Sequence, residues 1–412
     1  MEGKYMSLRI LVAPSGFKES LGSDEVADCI EAGVLRVLPD AKIIKAPLVD
    51  GGEGFTKALV RATGGTLHEL TVTGPVGTPV ASHFGILGGT GPKTAVLEMA
   101  AAAGLRLVPR NKRNPLKTTT YGVGELIRAA LDLGVERILV GCGDSGTNDG
   151  GAGMAQALGV KLFDRHSKPL KRGGSKLRHL QRIDLSGLDP RVRQVQIDVA
   201  CNWHNVLCGP KGVARVFGPQ KGATPKQVNR LETALETLAT VIQRDLGLDV
   251  HQIPGGGASG GLGAGLVAFL GAALHPRYDI VMQYLEFDKL LEDVDMVITA
   301  EGALDFQTPF GKVPSEVAAR AKRHHLPVLA LAGTLGKGAE DNYAHGIDAF
   351  TSIIEKPCEL HDAILNAVDY VTRASERLMR TMMIGQHLSV PLPSRRVRRS
   401  NAALEAYLAS VV

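Results

Sequence analysis

The chain has 412 residues, too many for one small core, and its apolar fraction of 44% is ordinary for a globular protein of two domains. Its net charge of +5 is mild and part of it sits in Arg395-Arg396-Val397-Arg398-Arg399, while aromatics are only 4% with a single tryptophan, Trp203. That excludes the basic face and stacking platforms of a nucleic-acid binder, and the five scattered cysteines have no metal-knuckle spacing and read as reduced thiols in the cytoplasm.

The N-terminal MEGKYMSLRILVAP holds no signal-peptide apolar core. Leu8 to Ala13 is an apolar run suited to a buried strand. Ser23 and Asp24 can cap a helix to about Leu38, with Val26, Ile30, Val34 and Leu38 on one face. Lys42 to Leu48 reads as a second strand and Gly54 to Thr63 as a second helix, so the chain opens in the βαβα rhythm of a parallel, doubly wound sheet.

The rhythm then changes. Leu67 to Lys93 alternates around Gly-Pro and Gly-Thr-Pro breaks, the pattern of antiparallel strands. Helices are expected at Gly122–Leu133, Gly151–Leu158, Pro225–Arg244 and Gly261–Ala273, with buried strands at Arg137–Val140 and Val195–Ala200. The uncharged stretch Pro254 to Leu274 has the length of a membrane span, but eight of its residues are glycine, which argues against one.

From Asp295 the first rhythm returns, with strands at Met296–Thr299, Val328–Leu331 and Ala349–Ile353 and helices at Ser315–His324 and His361–Met383. The expected fold is therefore α/β and two-domain. A flavodoxin- or Rossmann-like domain is built from both chain ends (1–66 and 293–386), with its parallel strands in the order 2-1-3-4-5. A mixed α/β domain (67–292) is inserted into it, and 387–412 is a C-terminal extension.

The tips that follow the strands of the end-built sheet share one edge, where ligands bind in open α/β sheets. They read Pro14-Ser15-Gly16-Phe17-Lys18, Asp50-Gly51-Gly52-Glu53-Gly54, Glu301-Gly302-Ala303-Leu304-Asp305 and Ala332-Gly333-Thr334. Glycine lets backbone N–H groups close on phosphate oxygens, carboxylates hold Mg²⁺, and lysines offset phosphate charge. This assigns Asp50, Glu301 and Asp305 to metal or general-base work and Lys18 and Lys312 to charge stabilisation, the parts that phosphoryl transfer requires. The glycine-rich stretch Gly141 to Met154 (GCGDSGTNDGGAGM) ends another strand and supplies Asp144, Ser145, Asn148 and Asp149 as candidate ligand contacts. Gly255 to Gly260 matches G-x-G-x-x-G but follows Ile253-Pro254 rather than a clear strand, a weak basis for a nicotinamide-dependent oxidoreductase, and the chain has no P-loop.

These motifs resemble the glycerate kinase family of the first, bacterial type, up to about Gln386. PSGFKESL at Pro14–Leu21 resembles the family's PDSFKGSL, VDGGEG at Val49–Gly54 its ADGGEG, and TTYGVGELI at Thr119–Ile127 its TSYGTGELI. The glycine-rich stretch resembles GGSATNDGGAG, while FGPQKGA at Phe217–Ala223 and GGLGAGL at Gly260–Leu266 match unchanged. TAEGALDFQTPFGK at Thr299–Lys312 resembles TGEGRLDSQTLFGK.

The resemblance implies an ATP- and Mg²⁺-dependent kinase that converts D-glycerate to 2-phosphoglycerate in a cleft between two α/β domains. Its partners would be ATP and a small hydroxy acid, with no nucleic acid or membrane, and its state monomer or homodimer. Glu53, Gln220, Lys221, Gly257 and Gly260 join the candidate substrate or nucleotide contacts. The departures are Ser15 for the family's aspartate, Gly16 for its serine, Ala303 for its arginine, and Asp144 where it has glycine. They leave open a kinase of another hydroxy acid, or a binding paralogue without turnover.

Overall fold

The structure is a computed structural model that describes residues 8–17 and 20–387. Lys18 and residues 388–412 of the C-terminal extension lie outside the described residues.

Five strands from the two chain ends form one all-parallel sheet. Across it the order is Ala349–Ser352, Val328–Leu335, Met296–Leu304, Arg9–Val12, Lys42–Lys45. Numbered along the chain, that is the expected 2-1-3-4-5. The apolar runs explain it, because strands covered by helices on both faces have no solvent side. Alternate residues of the first strand feed opposite faces. Ile10 and Val12 pack with Val26, Ile30 and Val34 of the helix Ser23–Leu35 and with Val371 of the helix Ala367–His387. Leu11 and Ala13 pack on the other side with Val313 and Val317 of the helix Val313–Arg323.

The second sheet has six strands in the order Ala273–Pro276, Gln196–Cys201, Arg137–Gly141, Thr94–Glu98, Pro79–Ile86, Thr66–Thr73. Its last two junctions are antiparallel, as the Gly-Pro breaks suggest, and the others parallel. The strand Thr94–Glu98, buried along its whole length, is one that periodicity does not single out.

Three local differences have plain causes. The first helix is capped one residue earlier than Ser23, where Glu25 reaches back to accept the Gly22 N–H at 2.8 Å. It also stops at Leu35 rather than Leu38. The third strand of the end-built sheet continues past Thr299 to Leu304, because its neighbour extends too and Glu301 to Leu304 pair with Ala332 to Leu335. The segment expected to be a loose tip is therefore a paired ribbon carrying Glu301.

The two sheets meet at the helix Phe55–Thr63. It follows the second strand of the first sheet, yet Phe55 presses on Gly141, where a Cβ would lie 2.6 Å from its ring. Leu11 and Phe55 share one buried cluster with Val96, Leu139 and Ala200 of the second sheet. This junction brings the carboxyl ends of both sheets together.

Candidate active site

The turn Asp50–Gly54 leaves the first sheet and lies directly on the glycine-rich loop that leaves the second. A Cβ on Gly143 would sit 2.6 Å from Gly52 Cα, so only glycine permits this backbone contact. The Asp144 Oδ2 atom accepts the Glu53 N–H at 2.9 Å. Asp144 therefore ties the two loops together, although its φ of 47° lies in the left-handed region that favours the glycine of the family motif. Asp50 faces outward with half of its side chain exposed, its Oδ1 accepting the Gly52 N–H at 3.2 Å.

Inside the loop the polar groups serve the fold first. Asp149, 1% exposed, accepts four hydrogen bonds. They come from Thr120 N–H (2.8 Å), Thr120 Oγ1 (3.1 Å), Gly153 N–H (3.2 Å) and Gly151 N–H (3.3 Å). Burial raises its pKa, and the donors oppose that. Asp149, one of the candidate ligand contacts, anchors the start of the helix Ala152–Ala157 to Thr120. Lys221 is equally enclosed and donates to Ser145 Oγ (2.8 Å), Thr147 C=O (2.7 Å) and Asn148 Oδ1 (3.4 Å). Burial pushes its pKa down to about 7, with Asp149 acting in the opposite direction. Lys221 thereby sets the path of the loop from Ser145 to Asn148. Two buried polar atoms in this loop, Thr147 Oγ1 and Asn148 Nδ2, have no hydrogen-bond partner, which marks a place for a water or ligand oxygen.

The other glycine-rich segment closes on the same loop. Gly260 has φ 73°, and a Cβ there would lie 2.0 Å from Thr147 O, so it brings backbone against backbone. Gly257 is packed similarly against Val206, while Gln220 is exposed. The G-x-G-x-x-G match at 255–260 thus lies in a helix start packed on the loop, without a preceding strand.

On the first sheet, Asp305 accepts from Lys312 Nζ at 3.0 Å and from the Gln307 N–H at 2.9 Å. Burial pushes its carboxyl up, but the Lys312 contact and these donors outweigh it and leave the pKa below the usual value. The expected three-carboxylate metal set is not assembled. Among the described residues no three of His, Cys, Asp or Glu form a metal-holding group. Glu301 lies on the strand Met296–Leu304, while Asp305 follows its end and is engaged there by Lys312.

Three residues join the site that motif reading passes over. Glu98, ending the strand Thr94–Glu98, accepts the Gly54 and Thr56 N–H groups at 3.1 and 2.8 Å and so fixes the helix beside the Asp50 turn. Burial raises its pKa. Arg106 Nε lies 3.4 Å from Glu53 Oε1. Arg277, which opens the helix Arg277–Tyr284, places Nη1 at 3.7 Å from Asp50 Oδ2. A carboxylate set inside the otherwise apolar stretch Ala95 to Leu105 is a usable signal for Glu98. Nothing local in the sequence marks either arginine.

The sequence model of the glycerate kinase family matches residues 10–383. This chain belongs to the glycerate kinase family. It is similar to the glycerate kinase of Bacillus subtilis, 47% identical over 92% of this chain and 100% of that protein. It is also similar to the glycerate 2-kinase of Escherichia coli, 46% identical over 92% of this chain and 99% of that one. Among solved structures, a protein assigned as glycerate kinase 2 from Salmonella typhimurium superposes with a TM-score of 0.82 at 48% identity. That match covers 93% of this chain and all of the other. The chain is accordingly a kinase, and the α/β architecture is that of the solved relative. No helix among the described residues is long and apolar enough to cross a membrane.

Proposed function

We propose that this chain transfers the γ-phosphoryl group of ATP to a hydroxyl of D-glycerate, forming 2-phosphoglycerate, where the edges of the two sheets meet. The observation that carries the reading is family membership over residues 10–383 combined with the contact between the Asp50–Gly54 turn and the Gly141–Asp149 loop. A kinase of this family implies ATP as donor. The division into a domain of residues 1–66 and 293–386 and an inserted domain of 67–292 is part of the proposal, as are the cytoplasmic setting and the monomer or homodimer.

Phosphoryl transfer demands positioning and charge stabilisation rather than covalent catalysis. Asp50 and Glu301 supply hard oxygen donors, and Asp50 is open to solvent, which suits an ion that takes one or two carboxylates and fills its remaining positions with phosphate and water oxygens. Bound there, Mg²⁺ would neutralise charge on the phosphates. Lys312, steered by Asp305, presents its ammonium from the first sheet. The Ser145–Asn148 stretch, held by Lys221, offers hydroxyl and amide groups from the second.

The changes at Ser15, Gly16 and Ala303 favour a second reading, a kinase of a related hydroxy acid, since all three lie at one end of the first sheet. The experiment is ADP release from Mg-ATP with D-glycerate beside a panel of hydroxy acids and sugar acids. Turnover with glycerate supports the first reading and turnover with another acid alone supports the second. ATP binding without turnover of any acceptor would replace both with a binding paralogue.

A further inference from the structure

An acceptor acid arrives with a negative charge at an edge already crowded with carboxylates. Asp50, Glu53, Asp144 and Glu301 all belong to the two facing loops and the strand beside them. A cation must offset them before a carboxylate can bind. Lys312, steered by Asp305, serves the phosphates in the reading above, and Lys221 is enclosed beneath the loop. Arg106 is 79% exposed at the rim.

Arg277 is placed differently. Its side chain is 30% exposed, and its guanidinium lies 4.7 Å from the Tyr278 ring centre. Its distance to Asp50, 3.7 Å, is too long for a hydrogen bond, so the pair is electrostatic and the planar fork is not consumed by it. The buried Tyr278 hydroxyl also senses the charges of Asp50 and Glu301, against that of Arg277. Glu301 and Ala303 are two residues apart on one strand, so they share a face at a spacing of about 7 Å. This chain thus carries alanine on the Glu301 strand where the family motif has arginine, and a guanidinium beside Asp50 where the strand Ala273–Pro276 of the second sheet ends.

Resting on the glycerate kinase reading above, we propose that Arg277 is the specificity-determining cation that binds the acceptor's carboxylate, in place of the arginine lost at position 303. A guanidinium matches a carboxylate in a two-pronged geometry that a lysine does not reproduce. Entering from the second sheet, it also couples acceptor binding to the contact between the two sheets.

The test compares the wild-type chain with Arg277→Ala, Arg277→Lys and the double variant Arg277→Ala/Ala303→Arg. For each, the KM for D-glycerate, the KM for ATP, kcat and the Tm are measured. Loss of a charge-assisted pair raises the glycerate KM of Arg277→Ala roughly 10- to 100-fold. The ATP KM stays within about threefold, and the double variant recovers part of the loss. Arg277→Lys, which keeps charge and bulk, falls between and serves if the alanine variant does not fold. An unchanged glycerate KM, or a loss carried by the ATP KM instead, overturns the proposal. A wild-type chain silent with glycerate counts against the activity rather than the arginine, and the series is then run with the panel acid that is turned over. If none is, the arginine's role falls with the activity.

Discussion

Asp149 separates a structural carboxylate from a catalytic one, and Asp149→Asn makes the distinction measurable. Asparagine keeps the shape but has only one acceptor oxygen. With that oxygen at the Oδ2 position, the Thr120 and Gly153 donors keep a partner, and the new NH₂ group confronts the Gly151 N–H, now 3.3 Å from Oδ1. One buried donor is left unpaired, and the remaining bonds lose their charge assistance. The Thr120 hydroxyl cannot simply turn round, because it already accepts the Met154 N–H at 3.0 Å. A bond to a charged partner contributes about 1.5–3 kcal/mol and a neutral one about 0.5–1.5 kcal/mol, so the gross loss is several kcal/mol. Removing a buried charge offsets part of it. The expected net destabilisation is about 2–4 kcal/mol in urea unfolding, with turnover lowered roughly tenfold, since the loop loosens without losing a reacting group. A variant with the wild-type urea midpoint but turnover reduced more than a thousandfold would refute the reasoning and put the carboxylate on the substrate.

The remaining expectations are simpler. Glu301→Gln and Asp305→Asn each lower kcat more than about a hundredfold while leaving the unfolding transition within about 1 kcal/mol; full activity in both would remove their roles. Lys221 has its pKa pushed down to about 7, so between that value and the ordinary lysine value the unfolded chain binds a proton that the folded chain does not. Stability therefore rises with pH in that window, by about 2 kcal/mol from pH 6 to 8.5, relative to Lys221→Met. Parallel stability profiles for the two proteins would contradict this. Gly33→Ala places a Cβ 2.2 Å from Thr372 O between the helices Ser23–Leu35 and Ala367–His387, so it lowers stability by about 1–3 kcal/mol despite alanine's better helix propensity. Activity per folded molecule should be unchanged; a variant as stable as wild type would show that the helices can move apart freely.

The sequence by itself determined the frame. Apolar runs such as Leu8–Ala13 and Val328–Leu331, separated by helices of one-sided periodicity, admit little but a parallel sheet. The break in rhythm between Leu67 and Lys93 revealed a second, mixed sheet. Motif order was enough to point to the family. These features are local or periodic, so they are written in neighbouring residues. What each polar group does was decided only by tertiary structure, because its partners lie far away along the chain. Asp149 and Lys221 belong to matching motifs, yet only the packing of Thr120 and Ser145 around them shows that both hold the loop. Glu301 and Asp305 look like one metal pair in the sequence, but pairing with Ala332–Leu335 carries the strand to Leu304, and Asp305 beyond its end is engaged by Lys312. Arg277 reaches Asp50 across 227 positions because two sheets built from different parts of the chain meet at their carboxyl ends. Local sequence cannot express that contact, since burial and strand pairing, acting over the whole molecule, create it.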